Sequence, residues 1–171
     1  EYTTYINALA YRDSLTGIKN STAYSEAISE LNNQINCSNP RFGVLVADIN
    51  NLKQTNDKFG HDVGNELIIH TAKILTDIFK FSSVFRIGGD EFCVFLPSVS
   101  KGILEERLKE MIIKLNDIYA NNSVTINTTA SIGCVYCVSE NMNFAELHNQ
   151  ADKIMYEVKN NGRNNYILKE F

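Results

Sequence analysis

The turn Gly88-Gly89-Asp90-Glu91 brings two acidic side chains together with two residues that have none. Adjacent carboxylates repel each other unless a cation or hydrogen-bond donors neutralise them. Glycines let a bulky ligand come close to the backbone. Taken alone, such a turn is more often a solvated acidic loop, so a chemical role requires a partner elsewhere in the chain.

Asp48 is the strongest candidate for that partner. It lies near the end of the apolar run Phe42–Ile49, which predicts a buried strand. Together with Asp90 it could form a carboxylate site for Mg²⁺, which prefers carboxylates and substrate phosphates. The alternative is that Asp48 caps the next helix. The turn that follows offers backbone N–H groups and Lys53, which can hold phosphate oxygens.

A third polar segment runs from residue 56 to residue 65 and contains Asn56, His61, Asn65 and two glycines. Amide side chains can recognise a base edge through paired hydrogen bonds. The same residues are also ordinary in helix caps and turns, and a lone histidine such as His61 is more often structural than catalytic. The segment therefore indicates a binding role only if the segments around Asp48 and Asp90 also form a binding site.

These segments must be positioned by an alternating series of helices and strands. Apolar residues at helical spacing predict helices over residues 21–35, from 64 onward, 104–118 and 144–159, and residues 3–11 resemble the end of a helix entering the domain. Strands are predicted over residues 42–49, 83–87, 92–96, within 124–138, and at the edge over 166–168. A hairpin inside an interleaved series favours an α+β or mixed α/β fold over a purely parallel sheet.

Composition limits the classes of function. The chain has 171 residues, 44% of them hydrophobic and 21% charged, with a formal net charge of -4. This is typical of one globular domain, and it argues against a broad nucleic-acid surface. No stretch approaches the ~18 apolar residues that a membrane helix needs. No signal peptide is visible, and the start at Glu1 suggests a piece of a longer protein.

The four cysteines are Cys37, Cys93, Cys134 and Cys137. The last two form a C-x-x-C in a β-branched run, where residues three apart point to opposite faces of a strand. One metal ion could not easily reach both thiols, so we expect buried free thiols and a reducing, cytoplasmic environment.

Five motifs, in this order, are similar to those of the GGDEF family of diguanylate cyclases. They are D-S-L-T-G-I-K-N, D-I-N-N-L-K-Q-T-N-D-K-F-G-H-D-V-G-N, R-I-G-G-D-E-F, A-S-I-G and A-D-K-I-M-Y-E-V-K-N-N-G-R-N, between about residues 12 and 167. The resemblance implies a central, mostly antiparallel five-stranded sheet flanked by helices. It also implies that residues 13–171 form the cyclase domain and residues 1–12 end a signalling helix.

The resemblance assigns roles residue by residue. It implies metal ligation by Asp48, the Ile49 carbonyl and Asp90, and a metal-binding or 3′-hydroxyl-activating role for Glu91. The matching substrate-binding positions are Asn51, Leu52, Lys53, Asn56, His61, Asn65, Gly88, Gly89, Lys159 and Arg163, and Lys53 is also a catalytic candidate.

The implied reaction condenses two GTP into cyclic di-GMP with two Mg²⁺ or Mn²⁺ per site. Each domain would bind one GTP, so catalysis implies an antiparallel homodimer. We further expect an upstream sensor or regulatory domain, no nucleic-acid partner and no direct membrane contact by this domain. The expected location is the cytoplasm, with the whole protein either soluble or anchored to a membrane.

Three departures from the family pattern carry consequences. Asn50 and Asn65 stand where the family usually has Asp. Asn65 predicts weaker discrimination for guanine, because an amide has one accepting oxygen where a carboxylate has two. Phe79 and Ser82 replace the Arg-x-x-Asp pair of the inhibitory product site, which predicts no product inhibition there.

Three alternatives remain at the level of sequence. The domain could be degenerate, binding GTP or a cyclic dinucleotide without turnover. It could be a purely structural dimerisation module without nucleotide binding. It could also be a cyclase with relaxed base specificity that makes a mixed cyclic dinucleotide.

Overall fold

The computed structural model describes residues 10–35, 41–120, 125–138 and 143–171. The helices are α1 (Ser21–Ile35), α2 (Leu52–Phe59), α3 (His61–Ile78), α4 (Lys101–Asn116) and α5 (Phe144–Asn160). The strands are β1 (Phe42–Ile49), β2 (Ser83–Arg86), β3 (Glu91–Pro97), β4 (Ile118–Ala120), β5 (Thr125–Asn127), β6 (Ala130–Cys137) and β7 (Asn165–Glu170).

Five strands form the central sheet in the order β2-β3-β1-β6-β7. The β1–β3, β1–β6 and β2–β3 pairs are antiparallel, and the edge strand β7 runs parallel to β6. Strand β1 lies in the centre with both faces covered, which explains its continuous apolar sequence. Strands β4 and β5 form a separate two-stranded hairpin.

Two hydrophobic cores cover the two faces of the sheet. One packs α3 and α4 against alternate residues of β1, including Leu45, Ala47 and Ile49. The other packs α1 and α5 against the opposite residues, Val44 and Val46. The fold is therefore a helix–sheet–helix sandwich, and even-numbered residues of β1 face α5.

A capping box and a glycine place α5 close to the sheet. Asn143 accepts a hydrogen bond from the Glu146 backbone, and the Glu146 side chain accepts one from the Asn143 backbone. Gly133 of β6 faces this helix, and a Cβ atom there would fall on the Ala151 carbonyl oxygen and the Met155 amide nitrogen. The missing side chain thus sets how closely α5 approaches the sheet.

The structure confirms the predicted fold class and sheet, with three differences in the elements. Helix α2 was not predicted, and α3 begins at His61 instead of residue 64 because Gly60, at φ 88°, separates the two helices. Helix α4 ends at Asn116, so Ile118 belongs to β4 and not to the helix. The predicted helix at residues 3–11 lies outside the described residues except for its last two.

The expected arrangement of the cysteines is confirmed where they are described. Cys134 lies in the core under α3 and α4, whereas Cys137 lies in the core under α1 and α5. Cys93, Cys134 and Cys137 are all buried, and burial raises the pKa of the Cys93 and Cys134 thiols. Cys37 is outside the described residues. None of the described helices is both long and apolar enough to cross a membrane.

Candidate active site

Asp48 and Glu91 face each other across neighbouring strands. The register of β1 and β3 pairs these two residues directly, and both point to the α5 side of the sheet because of the two-residue period of each strand. The Ile49 N–H donates to the Asp90 carbonyl at 3.0 Å, which ties the turn to the end of β1. The structure therefore brings Asp48, Ile49, Asp90 and Glu91 together at the end of β1. Lys53, the fifth residue predicted for metal binding or catalysis, is exposed in the first turn of α2.

Lys159 of α5 reaches this carboxylate pair. Its Nζ donates to Asp48 Oδ2 at 2.7 Å, and the Asp48 side chain is 9% exposed. Arg163 lies beyond the end of α5, and its charge also lowers the pKa of Asp48. Two cations from the last motif thus act on the Asp48 carboxylate.

The carboxylates resist ionisation in this arrangement. Burial raises the pKa of Asp48 and the nearby Asp90 adds to it, against the opposing effect of Lys159. Burial also raises the pKa of Glu91, followed by the negative charges of Asp48, Asp152 and Asp90. Concentrated negative charge of this kind is stabilised by a bound cation.

Arg86 holds the Gly88–Glu91 turn in shape. Its Nε and Nη2 donate to the Gly89 carbonyl at 3.2 and 2.7 Å. Its Nη1 donates to both carboxylate oxygens of Asp13 at 3.1 Å. Residues 13 and 86 each belong to a motif, but their pairing joins positions far apart in sequence, so no local pattern predicts it.

The two glycines of the turn contribute differently. A Cβ on Gly88 would lie 3.0 Å from Glu91 Oε2, so a side chain there would press on the carboxylate. A Cβ on Gly89 would meet no described atom within 4 Å. Gly89 therefore leaves the open surface on which a nucleotide could lie.

The turn between β1 and α2 leaves backbone N–H groups without a partner in the helix. Asn51 adopts a left-handed conformation at φ 59°, and its side chain does not cap the helix. The first intrahelical bond is from the Thr55 N–H to the Asn51 carbonyl, so the earlier amides, including those of Leu52 and Lys53, have no partner within the helix. Lys53 itself is exposed.

Asn56 lies against α3 at the position of Gly64. A Cβ on Gly64 would overlap Asn56 Oδ1, and this buried oxygen has no hydrogen-bond partner among the described residues. Asn65 follows Gly64 directly, so the two amides proposed to contact a base lie on facing helices. His61 is exposed at the start of α3, and no described contact joins it to the carboxylates.

The donor set fits a hard divalent cation. Asp48, Asp90, Glu91 and the Ile49 carbonyl are oxygen donors, as Mg²⁺ requires. No three His, Cys, Asp or Glu side chains of the described residues form a ready-made metal cage. A cation bound here would therefore need oxygen ligands from water or a substrate phosphate.

The positions of the family's inhibitory site border a cavity of about 410 Å³. Phe79 is fully buried, and Ser82 has only a short hydroxyl side chain. Arg12, Lys19 and Lys80 also line the cavity, but no carboxylate does. The cavity offers positive charge without the carboxylate acceptor that two guanine N–H donors need.

Glu91→Gln is expected to raise the melting temperature of the metal-free domain at neutral pH. Because the folded-state pKa of Glu91 is raised, folding favours the protonated form. Protonated Glu91 stabilises the folded state fully at a pH below the pKa that Glu91 has in the unfolded chain. This stabilisation is lost as the pH rises through the higher pKa that Glu91 has in the folded chain. The neutral variant avoids that loss, so its advantage should appear only above about pH 4.5.

Thermal melts across pH without divalent cations measure this effect. Glu106→Gln, at an exposed position of α4, is the matched control and should follow the wild type. An equal difference between Glu91→Gln and wild type at about pH 3 and about pH 8 would contradict the assigned electrostatics.

Comparison with known proteins agrees with this geometry. Residues 10–165 match the family model described as "Diguanylate cyclase, GGDEF domain". Diguanylate cyclase DgcS of Shewanella oneidensis is 31% identical over 174 residues, covering 95% of this chain and 57% of that protein. Cyclic di-GMP phosphodiesterase PdeR of Escherichia coli is 27% identical, covering 95% of this chain and 24% of that protein.

The fold also matches solved structures. The coiled coil and GGDEF domain of DgcB from Caulobacter crescentus, in complex with c-di-GMP, superposes with a TM-score of 0.91 at 20% identity, covering 98% of this chain and 90% of that one. This likeness supports the fold. The chain spans little more than half of DgcS and about a quarter of PdeR. By its family match, its carboxylate pair and its glycine turn, the chain belongs to the GGDEF domain family of diguanylate cyclases.

Proposed function

We propose that this domain condenses two GTP molecules into cyclic di-GMP and pyrophosphate. The observation that supports the proposal best is the Asp48–Glu91 pair beside the Asp90 turn, with Lys159 bound to Asp48 at 2.7 Å. Acidic ligands for a cation and basic residues for phosphates therefore meet at one edge of the sheet. Nucleotidyl transfer requires both.

The triphosphate is held from two sides. In this proposal the amides of Leu52 and Lys53 at the start of α2 bind phosphate oxygens, and Lys159 and Arg163, whose charges act on Asp48, stabilise the same phosphates. Asp48, Asp90 and the Ile49 carbonyl would hold the divalent cations, which would polarise the phosphates. When GTP binds, Lys159 exchanges its Asp48 contact for a phosphate.

The bond-making step joins a 3′-oxygen to the α-phosphorus. The 3′-hydroxyl loses its proton, the new P–O bond forms, and the bond to the pyrophosphate oxygen breaks. Glu91, which pairs with Asp48 across the strands, is the residue we propose to accept that proton. Lys159 and Arg163 stabilise the charge that develops on pyrophosphate.

Each domain has one such carboxylate pair and one glycine turn. Because two phosphodiester bonds close the product ring, each GTP must act once as nucleophile and once as acceptor. Two domains therefore face each other in an antiparallel homodimer, with one GTP bound to each. An upstream domain in the whole protein would set how often they meet.

A degenerate binding domain is the second candidate. Asn50 and Asn65 favour it because they replace two acidic residues usual in the family, and a relative named as a phosphodiesterase is similar over 95% of this chain. The candidate predicts GTP binding without consumption. The retained Asp48, Asp90 and Glu91 favour the active enzyme.

Mass spectrometry of products formed from mixed GTP and ATP with Mg²⁺ tests the proposal. Cyclic di-GMP as the main product supports it. Mixed or adenine-containing products would show a cyclase with relaxed base choice. Binding of GTP in calorimetry without any cyclic product would support the degenerate domain instead. If GTP does not bind at all, the domain is a structural dimerisation module.

Asn65→Asp is expected to raise the preference for GTP over ATP about tenfold. The carboxylate accepts from two guanine N–H donors, whereas one mismatched buried hydrogen bond costs ~1–3 kcal/mol. The ratio of kcat/KM for the two nucleotides measures this change. Asn149→Asp, at an exposed position of α5, is the control, and a strong GTP preference unaffected by Asn65→Asp would refute the assignment.

Cyclic di-GMP is expected not to inhibit turnover through the Phe79 and Ser82 positions. Neither side chain forms the charge-assisted bonds of an Arg and Asp pair. Initial rates measured at increasing cyclic di-GMP should show at most competitive inhibition at the GTP site. Tight non-competitive inhibition that is lost on changing Ser82 would contradict this expectation.

A further inference from the structure

Asn50 lies directly after the central strand and is buried, with 7% of its surface exposed. Its backbone N–H donates to the Thr129 carbonyl at 2.8 Å. With the amide oriented to match its neighbours, Nδ2 donates to Ser131 Oγ at 2.8 Å, and Oδ1 accepts from Thr129 Oγ1 and the Ala130 N–H at 3.2 Å. These hydrogen bonds therefore hold the Asn50 side chain at the place where β1 ends beside the start of β6.

The same Oδ1 accepts a hydrogen bond from the Asn164 backbone N–H at 3.3 Å. Asn164 belongs to the turn that follows α5 and directly adjoins Arg163. Asn50 thus connects the end of β1, which carries Asp48, to the segment that carries one of the two proposed phosphate-binding cations.

That turn has an unusual backbone. Gly162, Arg163 and Asn164 are three consecutive residues with positive φ, at 103°, 62° and 48°. Left-handed conformations are unfavourable for residues with a Cβ, and they persist where surrounding contacts enforce them. Arg163, which lacks the local tolerance that Asn has for this conformation, therefore needs surrounding contacts to keep this shape.

Three described contacts enforce the turn. The Arg163 N–H donates to the Val158 carbonyl at 3.0 Å, within the end of α5. Asn164 Nδ2 donates to Asn116 Oδ1 at 2.8 Å, but Asn116 is exposed at the end of α4. Of these three contacts, the one from Asn50 joins the turn to the end of β1, which carries Asp48.

We propose that Asn50 is a positioning residue that fixes the left-handed Arg163–Asn164 turn and so aims the Arg163 side chain at the substrate phosphates. The inference rests on the proposed function for the role of Arg163. Asn50 itself does not contact the reacting atoms. Its position explains why this buried polar residue follows directly after Ile49.

The amide and a carboxylate would hold the turn equally well. An Asp at position 50 accepts from Thr129, Ala130 and Asn164, and the Ser131 hydroxyl can rotate to donate to it. Asn50→Asp therefore preserves the positioning contact, whereas Asn50→Ala removes it. Thr129→Val removes one donor to Asn50 without touching the turn and is the matched control.

Hydrogen exchange of the Asn164 amide tests the contact without any substrate. Asn50→Ala should speed exchange there by about tenfold or more, while Asn50→Asp and Thr129→Val stay within about threefold of the wild type. Unchanged exchange in Asn50→Ala would overturn the proposal. If Asn50→Ala does not fold, Asn50→Asp decides, because loss of Asn164 protection in that variant contradicts the proposal and retention supports it.

A double-mutant cycle with Arg163→Ala tests the consequence for GTP. Asn50→Ala should raise the KM for GTP about tenfold when Arg163 is present, and have little effect when Arg163 is already Ala. Equal factors in both backgrounds would overturn the proposal. If the wild type forms no product, the proposed function fails, but the exchange result still decides whether Asn50 holds the turn.

Discussion

Asp90→Ala is expected to lower the rate of cyclic di-GMP formation by at least ~1000-fold while leaving the fold intact. Asp90 supplies one of the carboxylates of the proposed cation site, and it lies in a turn whose backbone contacts remain when its side chain is removed. The Ile49 N–H still donates to the carbonyl of residue 90, and Arg86 Nη2 still donates to the Gly89 carbonyl. The loss should therefore appear in kcat, with the melting temperature nearly unchanged.

Asp77→Ala is the matched control, because Asp77 is an exposed carboxylate on α3. It should keep wild-type turnover, so a general effect of net charge can be separated from the loss of a ligand. Activity in Asp90→Ala within tenfold of the wild type would show that the signature turn does not hold the reacting cation.

Gly133→Ala is expected to destabilise the domain by about 3 kcal/mol or more, or to prevent folding. A Cβ at this position meets the backbone of α5 at Ala151 and Met155, and backbone atoms cannot move aside as a flexible side chain can. The helix would have to shift away from β6. Because the same helix carries Lys159 to Asp48, any protein that folds should also lose activity.

Gly102→Ala is the matched control, and we expect it to stabilise the domain where Gly133→Ala destabilises it. Gly102 lies in α4, and a Cβ there meets no described atom within 4 Å. Replacing an exposed helical glycine by alanine stabilises by about 0.5–1 kcal/mol. Urea unfolding of both variants measures the difference, and equal stabilities would contradict the packing of α5 on β6.

The large elements were predictable because their patterns are local. The apolar run of β1 and the glycine turn each depend on neighbouring residues. Helix α2 was missed because its sequence is mostly polar and only Leu52 is buried. Gly64 suggested a helix start, but it lies inside α3, where the missing side chain makes room for Asn56.

The candidate site residues could be named from their motifs, but the contacts around them could not. Asp48, Asp90 and Lys159 were identified from their motifs, and the structure brings them together. The Arg86–Asp13 ion pair and the contact from Asn50 to Asn164 join distant parts of the chain. No local pattern reports such pairs, because the fold decides which polar residues meet.

The most direct test of the central claim is the conversion of GTP with Mg²⁺ at increasing concentrations of the domain. We predict that two GTP are consumed for each cyclic di-GMP formed and that two pyrophosphates are released. The rate per domain should rise with concentration until the domains are paired. GTP that binds but is not consumed at any concentration, with Asp48, Asp90 and Glu91 all present, would contradict the account.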